Sequence, residues 1–193
     1  MTRAFVALGL DEPTRAAVTA QIERLRPLSR AVAWVPPPNL HFTLKFLGEQ
    51  TDEGLAHAVD AIEEAAAGRA PFAIALRGLG GFPGMERPRI LWVGVAEGAL
   101  DVRALQSRVE IALQSRAFAG DSRPWHPHLT IGRVFDPRRW QRDARPALRE
   151  AIARAATMGF GTFPVARLAL MRSDLSPSGA RYRELRAVEL AAR

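Results

Sequence analysis

Cysteine is absent from the 193 residues. That excludes disulfides, thiolate zinc sites and a cysteine nucleophile together. Lysine is nearly absent: Lys45 stands alone among 27 basic side chains. No apolar run approaches the roughly 20 residues that a bilayer-spanning helix requires. The apolar stretch at 5–10 is too short for a signal-peptide core and runs straight into Asp11 and Glu12. It reads as a first strand, and a cytoplasmic location is expected. Low-complexity tracts and a flexible interdomain linker are missing as well, so residues 1–193 are expected to form one domain of two similar lobes.

What is present is ordinary for a globular chain: 48% apolar and 24% charged residues, enough to build a sizeable core. The formal charge of +7 suits an anionic partner such as RNA. The arginines are scattered, however, with no run of five or more. Charge alone therefore fits a solvated arginine-rich surface equally well.

Helical and strand patterns alternate along the chain. Asp11 is placed to cap a helix with Val18, Ile22 and Leu25 on one face, ending near Pro27. Thr51 is placed to cap a second, with Leu55, Val59, Ile62 and Ala66 in register. A third carries Val102, Leu105, Val109, Ala112 and Leu113. A fourth is expected to start near Pro146 and to bury Leu148 and Ile152. Strands are expected at 4–10, 41–46, 72–76, 90–95, 128–134, 165–171 and 182–190. Residues 78–88 and 174–181 read as loops. A strand, a helix and a strand opening on His-x-Thr occur twice. Phe5 precedes His41 by 41 − 5 = 36 positions and Trp92 precedes His128 by 128 − 92 = 36. This predicts two similar lobes facing each other across a cleft.

The chemistry lies in the two His-x-Thr strands. Side chains alternate between the faces of a strand. Phe42, Leu44 and Phe46 are thereby assigned to the core, and His41, Thr43 and Lys45 to the opposite face. In the second strand Leu129 and Ile131 go inward, while His128 and Thr130 point outward. Each strand then presents an imidazole beside a hydroxyl. Breaking a P–O bond needs a base for the attacking oxygen and an acid for the leaving one, and histidine serves both near neutral pH. Two threonine hydroxyls can donate to the charge that develops on phosphate. Lys45 or a nearby arginine could add positive charge, and the scheme needs no metal or other cofactor. His57 falls on the second helix and reads as a surface residue. His126, beside Pro127, reads as closing the start of its strand rather than as a metal ligand.

Residues 34–48, Trp-Val-Pro-Pro-Pro-Asn-Leu-His-Phe-Thr-Leu-Lys-Phe-Leu-Gly, resemble the first signature of one family, the bacterial and archaeal RNA 2′,3′-cyclic phosphodiesterases or 2′-5′ RNA ligases of the 2H phosphoesterase superfamily. Residues 127–133, Pro-His-Leu-Thr-Ile-Gly-Arg, resemble the second signature, and 170–182 resemble the family's C-terminal segment. The resemblance implies an α+β, bilobal, pseudo-two-fold fold with antiparallel sheets lining a central cleft and helices outside. It implies His41 as proton donor to the leaving oxygen and His128 as proton acceptor from water. Thr43 and Thr130 would bind the phosphate, with Arg133 assisting. Simple alternation puts Arg133 on the core face, and a bulge at Gly132 would turn it back. Tyr182 is expected to be a half-buried strand residue. The implied reaction is metal-independent hydrolysis of RNA 2′,3′-cyclic phosphate ends to 2′-phosphates, reversible toward 2′-5′ ligation. A monomer is expected, since the sequence carries no long heptad or other interface signal. The competing readings are a related activity on small cyclic nucleotides or 2′-5′ oligonucleotides, and an RNA-binding module without turnover.

Overall fold

The computed structural model describes residues 1–143, 147–176 and 179–192. In chain order the elements are β1 (Thr2–Leu8), α1 (Glu12–Leu25), β2 (Val32–Trp34), β3 (Phe42–Gln50), α2 (Asp52–Ala66), β4 (Phe72–Phe82), β5 (Ile90–Glu97), α3 (Ala99–Gln114), β6 (His128–Val134), α4 (Pro137–Asp143), α5 (Ala147–Arg154), β7 (Gly159–Val165), β8 (Arg167–Ser176) and β9 (Gly179–Glu189). The helix starts are set by their caps. Asp11 accepts from the Thr14 N–H at 3.0 Å and Thr51 from the Gly54 N–H at 3.1 Å, each satisfying a first-turn donor. The apolar stripes of α1 and α3 are buried as their periodicity requires, as are Leu148 and Ile152 of α5. Pro146, the expected start of that helix, lies outside the described residues, as do Pro177 and Ser178 of the C-terminal segment. Among the described residues no helix is long and apolar enough to cross a membrane.

Two antiparallel sheets organise the molecule, ordered β3-β1-β8-β9 and β2-β6-β5-β4-β7. Counted outward from the histidine strands, β3-β1-β8-β9 matches β6-β5-β4-β7, which is the expected pseudo-two-fold relation. The equal spacing of 36 is not its register. Thr43 pairs with Ala7, 43 − 7 = 36, whereas Thr130 pairs with Trp92, 130 − 92 = 38. The halves also interlock. β2, from the N-terminal half, pairs with β6, and α1 packs against β7 of the second sheet. Phe42 of one sheet meets Phe163 of the other at a ring-centroid distance of 6.0 Å inside a shared core.

Several expectations need correction. Residues 78–82 continue β4 rather than forming a loop, and the expected strand at 165–171 is the end of β7 together with the first half of β8. Most of the expected loop at 174–181 belongs to the β8–β9 hairpin. Glycine and proline mark turns in water, but here strand neighbours supply the ladder that overrides local propensity. β2 and α4 were too short to leave a periodic pattern. α4 forms over Asp136, whose carboxylate accepts from the Arg139 N–H at 2.9 Å, and it buries Trp140.

Candidate active site

β3 and β6 approach each other where the two sheets meet, and their outward side chains line one cleft of about 220 Å³. His41, Thr43, His128, Thr130, Arg133, Lys45 and Tyr182 all border it. His57 is exposed on α2, away from the cleft.

Each imidazole is oriented by the backbone two residues upstream. His41 Nδ1–H donates to the Asn39 carbonyl at 2.7 Å, and His128 Nδ1–H donates to the His126 carbonyl at 2.7 Å. A carbonyl only accepts, so the proton sits on Nδ1 in the neutral ring and Nε2 is left for the cleft. Thr43 Oγ1–H then donates to His41 Nε2 at 3.0 Å. Among the described residues His128 Nε2 has no such partner. The upstream segment of His41 is anchored by Arg15, whose guanidinium donates to the carbonyls of Pro37 (2.7 Å), Leu40 (3.3 Å) and Leu10 (3.2 Å). Asn39 Nδ2 adds a bond to Ala180 O at 2.7 Å. Upstream of His128, Arg103 donates to Trp125 O at 3.0 Å, and Trp125 Nε1–H reaches across to Thr43 O at 3.2 Å.

Aromatic rings flank both histidines. Phe5 lies 4.8 Å from the His41 ring and Tyr182 stands edge-on to it at 5.2 Å. Tyr182 is half-buried on β9, as expected. Phe82 stands edge-on to His128 at 5.1 Å. Both histidines are held below their usual pKa. For His41 the largest cause is burial, opposed by the bond to Asn39 and reinforced by the charges of Arg133 and Arg15. For His128 it is again burial, opposed by the bond to the His126 carbonyl and reinforced by the His126 side chain and Arg133.

Strict alternation fails on both strands, for one shared reason. On β3, Thr43 pairs with Ala7 and Lys45 with Val6, leaving Leu44 as an extra residue. On β6, Thr130 pairs with Trp92 and Gly132 with Leu91, leaving Ile131 extra. Each is a β-bulge three residues after its histidine, and each reverses the facing of the residues beyond it. Phe46, assigned to the core, is 61% exposed on the cleft. Lys45, assigned to the open face, is only 3% exposed, with Nζ 2.9 Å from Glu110 Oε1 and 3.1 Å from Asp121 Oδ2. It fastens β3 to α3 and to the segment before β6, so its charge is already compensated. Arg133 is exposed on the cleft, and among the described residues it makes no ion pair. The expected bulge places its extra residue at Ile131, one position before Gly132.

Sequence reasoning missed Arg15, Trp125 and the two orienting carbonyls. Carbonyls carry no residue identity, and Arg15 and Trp125 act from distant elements. The only legible trace is proline upstream of each histidine, Pro127 directly before His128 and Pro36–Pro38 ending three residues before His41. It restricts the backbone of the segment that carries the orienting carbonyl.

Comparison with known proteins identifies the family. The model of the 2′-5′ RNA ligase superfamily matches residues 13–177. The chain is similar to an RNA 2′,3′-cyclic phosphodiesterase of Methanothermobacter thermautotrophicus, 34% identical over 97% of this chain and 98% of that one. It is similar to one of Archaeoglobus fulgidus, 33% identical over 97% and 99%. A crystal structure from Thermus thermophilus is 35% identical with a TM-score of 0.75, covering 97% of each chain. Escherichia coli LigT complexed with 3′-AMP shares the fold at a TM-score of 0.76 and 21% identity, covering 98% of each chain. A family model that spans residues 13–177, together with relatives above 30% identity that align over nearly their whole length, makes one conclusion unavoidable: the chain belongs to the 2′-5′ RNA ligase superfamily.

Proposed function

We propose that the protein hydrolyses RNA 2′,3′-cyclic phosphate ends to 2′-phosphates, with His41 as the acid and His128 as the base. The observation that carries this reading is the matched pair of Nδ1-to-carbonyl bonds, which leaves both Nε2 atoms for one phosphate-sized cleft. Burial favours neutral imidazole, so His128 is ready to accept a proton from water. An anionic phosphate entering beside His41 favours the charged ring, so the acid is loaded by the substrate itself. Water attacks phosphorus and gives its proton to His128. The ribose 3′-oxygen leaves with the proton of His41, giving a 2′-phosphate. The exposed guanidinium of Arg133 and the hydroxyls of Thr43 and Thr130 stabilise the equatorial oxygens. Phe46 and Tyr182, on the cleft wall, suit the face of a nucleobase. Run backwards with a 5′-hydroxyl in place of water, the same proton transfers form a 2′-5′ linkage.

This reading takes the two lobes as one functional unit, supported by β2 and α1 being built into the second sheet. It has the unit acting on RNA as a cytoplasmic monomer, without a metal. The test is incubation with an RNA bearing a 2′,3′-cyclic phosphate end, with and without chelator, with phosphorus NMR of the product. A 2′-phosphate formed under both conditions is expected. A predominantly 3′-phosphate product would mean that the ribose binds the other way round, with acid and base exchanged. Absence of turnover would leave an RNA-binding module.

A further inference from the structure

His128 borders a second depression besides the phosphate cleft. This groove, of about 490 Å³, lies over β4 and β5 and is walled by Arg77, Phe82, Trp92, Arg103, His126 and His128. Its size falls within the roughly 300–1,000 Å³ usual for small-molecule sites. The Trp92 indole lies down on the sheet because two neighbours lack side chains. A Cβ at Gly80 would fall 2.3 Å from Trp92 Cζ2, and one at Gly94 would fall 3.1 Å from Cζ3. Phe82 continues the apolar surface 5.3 Å from Trp92 and touches the His128 ring edge-on. No aspartate or glutamate lines the groove among the described residues. Arg77 and Arg103 are both exposed there, and among the described residues Arg77 has no ion-pair partner. An aromatic floor with cations at its rim and no carboxylate fits a nucleoside followed by a phosphate.

We propose that this groove is a second nucleoside subsite, which holds the 5′-hydroxyl nucleoside that attacks, or leaves from, phosphorus on the His128 side. It rests on the acid and base roles proposed above. In an in-line displacement the entering and departing oxygens lie on opposite sides of phosphorus. With the ribose 3′-oxygen at His41, a partner alcohol must reach His128 Nε2. The groove that shares His128 with the cleft is placed to deliver it. In the joining direction the 5′-hydroxyl gives its proton to His128, the P–O5′ bond forms and the P–O3′ bond breaks. The 3′-oxygen then takes the proton of His41. The product is a 2′-5′ diester with a free 3′-hydroxyl, and the reverse sequence opens it to a cyclic phosphate and a 5′-hydroxyl. The phosphate on the 3′ side of this nucleoside meets the arginine rim.

The test compares two substrates on the full chain: adenosine 2′,3′-cyclic phosphate, and a 2′-5′-linked diadenylate carrying a terminal 3′-phosphate. Wild-type protein is expected to turn over both. Arg77→Glu is expected to raise KM for the diadenylate about tenfold, the scale of one lost charge-assisted contact. It should leave hydrolysis of the cyclic mononucleotide within about twofold, since Arg77 lines the groove and not the cleft and is not among the charges that act on either histidine. Arg77→Lys should retain most diadenylate affinity. Equal losses on both substrates, or no loss on the diadenylate, would overturn the subsite. So would wild-type protein that hydrolyses the cyclic phosphate but neither opens the diadenylate nor is competitively inhibited by it. Wild-type protein inert on the cyclic phosphate would instead overturn the His41 and His128 roles on which the subsite depends.

Discussion

The two histidine strands are built alike and embedded differently. β3 and β6 each orient an imidazole through the carbonyl two residues upstream, and each bulges three residues after the histidine. Both bulges therefore turn the fifth residue after the histidine onto the cleft. On β3 that residue is Phe46 and on β6 it is Arg133. The fourth residue, turned inward, is the ion-paired Lys45 on β3 and Gly132 on β6. His41 Nε2 is bonded to its threonine, and its upstream segment is anchored by Arg15. Among the described residues His128 Nε2 has no hydrogen-bond partner, and the His128 side chain borders two depressions. One repeated frame thus supplies matched imidazoles, while unlike residues at equivalent positions make one side apolar and the other cationic. A reaction with chemically different entering and leaving oxygens needs that inequality.

The largest test of the comparison is removal of each imidazole. His41→Ala and His128→Ala should each lower turnover of a cyclic-phosphate RNA by roughly 10²-fold or more, the usual worth of a general acid or base. The double variant should be little worse than either single one, because acid and base act in one concerted transfer. A wild-type rate in either single variant would break the equivalence of the two strands.

Lys45 separates structural from chemical asymmetry. Lys45→Met leaves Glu110 without its cation in a largely covered position. The expected loss is about 2 kcal/mol of stability, between the surface and buried limits for ion pairs. Urea denaturation would measure it. Lys45→Met with Glu110→Leu should recover much of the loss. Activity lost without any change in stability would return Lys45 to the reaction.

The two residues after the bulges should fail in different ways. Arg133→Ala should lower kcat/KM about tenfold, the scale of a charge-assisted contact to phosphate. Phe46→Ala should raise KM and spare kcat, since stacking binds ground and transition states alike. The pH profile sharpens this contrast. Both histidines are held below the usual 6.5, and activity requires one charged and one neutral ring. The kcat/KM optimum of the free enzyme should therefore lie on the acidic side of 6.5 and fall as pH rises through the histidine pKa values. The Arg133 charge depresses both histidines, so Arg133→Ala should move the optimum upward, whereas Phe46→Ala should leave it in place. An unmoved optimum in Arg133→Ala would place the guanidinium away from the imidazoles.

The smallest expected effect lies in the threonines. Thr43→Val removes a hydroxyl already bonded to His41, whereas Thr130→Val removes one that has no ring partner among the described residues. Each should cost a few-fold, on the order of one neutral hydrogen bond. Only Thr43→Val should also shift the acid's titration, which NMR of the imidazole signals would detect.

The sequence by itself determined the parts that depend on local pattern. Capped helices at Asp11 and Thr51 arise from side chains satisfying nearby N–H groups. The two His-x-Thr strands, each with an imidazole beside a hydroxyl, arise from the two-residue period of extended chain, which holds from each histidine to its threonine. The duplicated unit and the family were legible for the same reason. Tertiary structure alone decided where that period breaks. Leu44 and Ile131 carry no mark of a bulge, because both are ordinary core residues, 0% and 1% exposed, and the irregularity belongs to pairing with β1 and β5. It also decided that Lys45 is covered by carboxylates from α3 and the segment before β6, that backbone carbonyls orient both rings, and that β4 and β5 floor a second groove beside His128. Those outcomes rest on contacts between residues far apart in the chain, which a one-dimensional period cannot encode.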